Sequence, residues 1–137
     1  MNQPELRPTV VSAAYWLWFA AAVVLILMGL GWLFVDEATI LAADPNFQNP
    51  GQLVDLMRMY GGIALVSAVF VAFLAGRMRR GDARYRRSLV AFSVVLSIFQ
   101  IMSIWLVGAG FFAIAVVAPV VAASILVYRP AAKSWFS

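Results

Sequence analysis

Four polar side chains share one face of an otherwise apolar run: Ser93, Ser97, Gln100 and Ser103 follow one another at steps of four, three and three. That spacing sets them on one side of a helix. Hydroxyls and a carboxamide in such a position hydrogen-bond a neighbouring helix for about 0.6–2 kcal/mol each, or line a path for a polar ligand; the helix contact is the expected use. Pro119, in the next apolar run, removes a backbone N–H and frees the carbonyl of Ala115. If the two runs form a hairpin centred on Ala109, Ser103 lies level with Ala115 and Gln100 with Ala118. Ser103 or Gln100 is therefore expected to donate to the freed carbonyl. The chain has no Cys and no His, so thiolate chemistry, the usual zinc sites, His-ligated haem and imidazole proton shuttles lack their residues. The acids Asp36, Glu37, Asp44 and Asp55 offer oxygen ligands of the kind calcium or magnesium takes. Their spacing matches no metal-binding loop, and no metal, cofactor or catalytic group is expected.

Six arginines, Arg77, Arg79, Arg80, Arg84, Arg86 and Arg87, stand in the 77–87 segment with one acid, Asp82. Most of this is a topology signal. The surplus suits anionic lipid headgroups, at about 1 kcal/mol per basic residue, or a partner. Nucleic acid is not expected, because the basic residues flank apolar runs. Ala14, Ala21, Ala22 and Gly29 fall on roughly one side of the first run, and small residues let helices approach closely. They suit an internal seam or a face for another subunit. The subunit face is carried forward as the expectation, with Ala21→Trp or Ala22→Trp releasing a partner without unfolding the chain.

The elements that hold these residues follow from composition. The chain of 137 residues is 64% hydrophobic and 12% charged, with a mean hydropathy of +0.92. Soluble domains average about 45–50% apolar and about 25% charged. A helical membrane crossing takes about 20 apolar residues, and four runs come near that: 10–35, 61–76, 88–107 and 111–128. The first is longer than the roughly 7–15-residue apolar region of a cleaved signal, so a retained helix is expected, with Pro8 at its start. The 36–58 loop holds Pro45, Asn46, Asn49, Pro50 and Gly51, all turn formers. Leu53, Leu56, Met57 and Tyr60 then recur at helical spacing, an amphipathic lead-in on which Asp55 and Arg58 are placed to pair. The 108–110 segment is a tight turn. Tyr15, Trp16, Trp18, Trp32, Tyr60, Tyr85, Trp105 and Tyr128 stand near span ends, where amphipathic rings anchor at headgroup level.

The positive-inside rule orients the chain. Segment 77–87 is basic, loop 36–58 carries four acids and one arginine, the tail adds Arg129 and Lys133, and the head adds Arg7. The expectation is an all-α polytopic protein of the bacterial inner membrane, in one domain. It has four transmembrane helices, with both termini and the arginine segment cytoplasmic. No Asp, Glu, Lys or Arg falls inside a span, so a proton-driven pump, a carboxylate-dependent exporter or a voltage sensor has nothing to work with.

The opening Arg7-Pro8-Thr9-Val10-Val11-Ser12-Ala13-Ala14-Tyr15-Trp16-Leu17-Trp18 resembles the start of a group of short actinobacterial membrane proteins. These share a basic-Pro start, an aromatic-Leu-Trp triplet, four spans and an arginine-rich middle loop. The resemblance extends over most of the chain and implies the fold. A narrower likeness is to an accessory subunit of the mycobacterial Mce lipid-import machine; it implies no site residues. The expected function is a non-catalytic accessory or scaffolding subunit of a larger membrane complex, most specifically a lipid transporter. Its partners would be other integral membrane subunits and anionic lipids. The alternative is a homo-oligomeric transporter or channel with a Ser/Gln-lined path.

Overall fold

The computed structural model describes residues 8–107 and 110–136. They form α1 (Thr9–Leu33), α2 (Glu37–Ala43), α3 (Pro50–Met78), α4 (Ala83–Val107), α5 (Gly110–Val127) and α6 (Pro130–Lys133), with no strand among them. Helices α1, α3, α4 and α5 are long and apolar enough to cross a membrane. The chain is an all-α, multi-pass membrane protein. Each of the four long helices adjoins two others: α1 packs on α3 and α5, and α4 packs on α3 and α5. Thus α1 and α4 sit on one diagonal of the bundle, α3 and α5 on the other.

The inward seams are periodic. Buried residues on α1 include Val11, Ala14, Trp18, Ala21, Leu25, Met28 and Trp32, alternating steps of three and four. Helix α5 repeats the pattern with Ala113, Val116, Val120, Ala123 and Val127. Alternation of three and four is the spacing of knobs-into-holes packing between nearly antiparallel helices. On α4 the buried positions are Leu89, Ser93, Leu96, Gln100 and Ser103, so its polar stripe is the inward seam.

Helices α1 and α3 meet where neither has a side chain. A Cβ added at Gly29 would stand 2.8 Å from the Gly61 carbonyl oxygen, and one at Gly61 2.8 Å from that of Gly29. The face formed by Ala14, Ala21, Ala22 and Gly29 is wholly buried in the bundle. The expected subunit face is therefore corrected to an internal seam: Gly29 lets the two backbones touch, and the three alanines are buried along the same side of α1.

Boundaries differ from the expected ones. The lead-in and second span are one continuous α3, started by Asn49 in the left-handed region (φ 58°) and Pro50 at the first helical position; Asn tolerates that conformation and Pro suits that site. Helix α4 begins at Ala83, so Arg84, Arg86 and Arg87 are helical and the expected 77–87 loop shrinks to a turn around Arg80–Asp82. Helix α2 was not expected; Asp36 caps it, accepting from the Thr39 N–H at 2.8 Å and the Thr39 hydroxyl at 2.7 Å. The expected Asp55–Arg58 pair is absent. Arg58 instead donates Nε and Nη2 to the Val35 carbonyl at 3.2 and 2.9 Å, just past the end of α1. Two donors to one backbone carbonyl outcompete an exposed ion pair, which contributes about 0–1 kcal/mol. Arg7, Gly108 and Ala109 lie outside the described residues.

Candidate functional site

The polar seam of α4 is built from the helix outward. Ser93, Gln100 and Ser103 are buried. The Trp18 indole Nε1 donates to Ser93 Oγ at 2.9 Å, tying diagonal helices through the centre of the bundle. Ser103 Oγ donates to the Gln100 carbonyl at 2.6 Å, within its own helix. Neither Ser103 nor Gln100 bonds the Ala115 carbonyl, so that expectation is corrected: the hydroxyl reaches its own preceding turn more easily than the next helix. Pro119 stays inside a continuous α5. Ser97 Oγ and Gln100 Oε1 are buried and have no hydrogen-bond partner among the described residues. Spacing placed all four residues together; it missed Trp18, and it missed Ser124 on α5, whose hydroxyl donates to the Val120 carbonyl at 2.7 Å.

Three of the expected interface anchors are core residues. Trp18 is fully buried, and Trp32 and Tyr60 are buried edge to face, with ring centroids 6.4 Å apart. Tyr60 also lies 4.5 Å from the Phe99 ring. Trp16 (58% exposed) and Trp105 (85% exposed) face outward. The spacing signal was present: Trp18 and Trp32 fall on the same three-and-four repeat as Ala14 and Ala21.

The six arginines divide by what they touch. Arg79 lies over the Tyr15 ring at 4.4 Å, and its carbonyl accepts from Trp135 Nε1 at 3.0 Å. Arg86 reaches the Val127 carbonyl at 3.4 Å and lies over the Tyr128 and Phe136 rings at 4.5 and 4.6 Å. These two hold the C-terminal segment under the bundle, where Ala132 and Phe136 are buried. Gly81, at φ 94°, lets Trp135 in; a Cβ there would meet the Trp135 carbonyl oxygen at 2.8 Å. Arg77, Arg80, Arg84 and Arg87 are exposed. Arg84 pairs with Asp82 at 3.4 Å. The hydrogen bond from Arg84 holds the Asp82 carboxyl below its ordinary value.

The outer surface is indented between α4 and α5. One cavity of about 410 Å³ is lined by Ile101, Ile104, Ile114, Val117, Ala118 and neighbouring aliphatic residues. A second, of about 340 Å³, shares Ile101, Val121 and Ile125 with it and reaches Ser93, Ser97 and Ser124. Together they make one long aliphatic groove with hydroxyls toward one end. No three His, Cys, Asp or Glu side chains converge among the described residues. No protein-family model, curated protein or solved structure matches this chain.

Proposed function

We propose that the chain is a non-catalytic accessory subunit of a larger membrane complex, most specifically a lipid transporter. In this reading it sits in the bacterial inner membrane with both termini cytoplasmic. One observation carries the reading: the described buried residues include no Asp, Glu, Lys or Arg, while the exterior carries the aliphatic α4–α5 groove. Such an interior offers no charged side chain for an ion or a proton to use among the described residues. Its groove, floored by small Ala118 and Ala122, fits the apolar face of a partner helix, and small residues are where membrane helices pack closely.

The test is affinity purification in mild detergent from native membranes, with a tag at the C-terminus. A large complex in fixed stoichiometry is expected with the unaltered chain. Ala118→Trp, which fills the groove, is expected to release it while the bundle stays folded. A chain that purifies alone, or a complex indifferent to Ala118→Trp, rejects the proposal. The unpartnered Ser97 and Gln100 oxygens favour a second reading, a homo-oligomer with a polar path. It requires flux that Gln100→Leu abolishes.

A further inference from the structure

The outer face of α3 carries Ile63, Val66, Phe70, Phe73 and Arg77, all exposed and recurring at steps of three and four, and exposed Arg80 follows in the turn after the helix. The stripe is apolar for most of its length and cationic at one end. Tyr85 and Phe92 face it from α4: Phe73 meets Tyr85 at 6.1 Å and Phe70 meets Phe92 at 6.0 Å. The Arg77 guanidinium lies over Phe73 at 5.6 Å and over Tyr85 at 6.0 Å, at the junction of the two zones. Beyond it is a cavity of about 530 Å³ lined by Arg77, Arg80, Arg84, Asp82, Gly81 and Ala83. On the apolar side lies a hollow of about 260 Å³ whose lining includes Ile63, Val66, Ser67, Phe70 and Phe92.

We infer that this face holds an anionic phospholipid, its phosphate among Arg77, Arg80 and Arg84 and an acyl chain along the α3–α4 cleft toward Ile63. The charge is complementary: three guanidinium groups share the cavity with one carboxylate. Arg84 spends its charge on Asp82 in a pair whose arginine side chain is 80% exposed, a weak contact that a phosphate can replace. The planar guanidinium fork matches phosphate oxygens. The α4 helix end is not the attraction, since Asp82 Oδ1 already accepts from the Arg84 N–H at 2.9 Å. Length agrees as well. Phe73 to Ile63 is a helical rise of about 15 Å, the depth of one leaflet in a hydrocarbon core about 30 Å thick. Arg79 and Arg86 hold the C-terminal segment and stand outside the site. The inference rests on the membrane fold and narrows the lipid contact expected of the arginines. It does not need the α4–α5 partner, so either proposal can fail alone.

The experiment is native mass spectrometry of the full chain in detergent, titrated with dioleoylphosphatidylglycerol, dioleoylphosphatidylcholine or glycerol phosphate. The first phosphatidylglycerol is expected to bind about tenfold or more tightly than phosphatidylcholine, and Arg80→Gln to remove most of that preference. Val66→Trp, which fills the cleft, is expected to weaken phosphatidylglycerol by a similar factor. Arg87→Gln, an exposed arginine outside the cavity, is expected to leave it unchanged. All three side chains are exposed, and unchanged circular dichroism with a single gel-filtration peak verifies folding. Equal affinity for the two lipids, or equal losses from Arg87→Gln and Arg80→Gln, overturns the site. Competition by glycerol phosphate as strong as by the lipid, or no effect of Val66→Trp, overturns the acyl-chain contact.

Discussion

Trp18 is a large apolar side chain with one polar atom, and the bundle uses both parts. The ring fills the centre and the indole N–H reaches Ser93 at 2.9 Å. Trp18→Phe and Ser93→Ala are each expected to cost about 0.6–2 kcal/mol. The double variant should cost less than their sum, because one bond is shared. Thermal unfolding in detergent checks this, and full additivity would deny the bond. Asp36 and Asp82 give a pH prediction. Asp36 is held below 3.8, chiefly by the Thr39 hydroxyl, and Asp82 below 3.8, chiefly by Arg84. A carboxyl lowered in the fold stabilises it above the unfolded value and loses that contribution as pH falls through the lower folded one. The Thr39 and Arg84 amide resonances should therefore titrate with midpoints below the ordinary carboxylate value; midpoints that are not lowered would show the Asp36–Thr39 and Asp82–Arg84 hydrogen bonds absent. At this scale the sequence revealed that Ser93, Ser97, Gln100 and Ser103 share a face, since spacing alone sets that. It could not reveal what each hydroxyl bonds, which depends on the atom that packing brings within 3 Å. Nor could it tell the arginines apart. Arg79 and Arg86 are set apart from Arg80 and Arg87 by the rings and hydrogen-bond partners that α1, the end of α5 and the C-terminal segment bring to them.

Helices α1 and α3 meet by close backbone approach at Gly29 and Gly61. Gly61 and Gly62 are adjacent, yet only Gly61 faces α1: a Cβ at Gly62 meets nothing within 4 Å. Gly61→Ala should force α1 and α3 apart and destabilise by about 1–3 kcal/mol, the usual cost of overpacking. Gly62→Ala should stabilise by about 0.5–1 kcal/mol, by removing a flexible residue from a helix interior. Equal effects in thermal unfolding would contradict the crossing point. The four long helices were legible because length and apolarity suffice to define them. Their ends were less so. Pro50 reads as a turn former from either side, and only the left-handed Asn49 makes it the first residue of α3. Arg84, Arg86 and Arg87 read as loop by charge, although arginine is a good helix former. Helix α2 escaped notice because it buries no residue and so leaves no periodic apolar signal.

Across the whole molecule, the arginine turn, the start of α1 and the C-terminal segment meet at one end: Arg79 touches Tyr15 and Trp135. The orientation of that end in the cell is a prediction. A chain without cysteine permits labelling without background. Asn46→Cys should react with an impermeant maleimide on intact cells, and Ser134→Cys only after permeabilisation; the reverse pattern would invert the topology. Composition by itself determined a four-span helical membrane protein, because water cannot solvate so much apolar surface and each crossing has a minimum length. Which face of each helix turns inward was decided only by the tertiary structure. Lipid tails are as apolar as a protein core, so a membrane helix has no need to contrast its two sides. Exposed Leu27, Val69 and Ile98 look like buried Leu25, Val71 and Leu96. Small and polar residues carried the seams instead: read alone, the alanines of α1 and the serines of α4 fitted an outer face or a pore as well as an interior. The contact of Gly29 with Gly61 and the bond from Trp18 to Ser93 turned both inward.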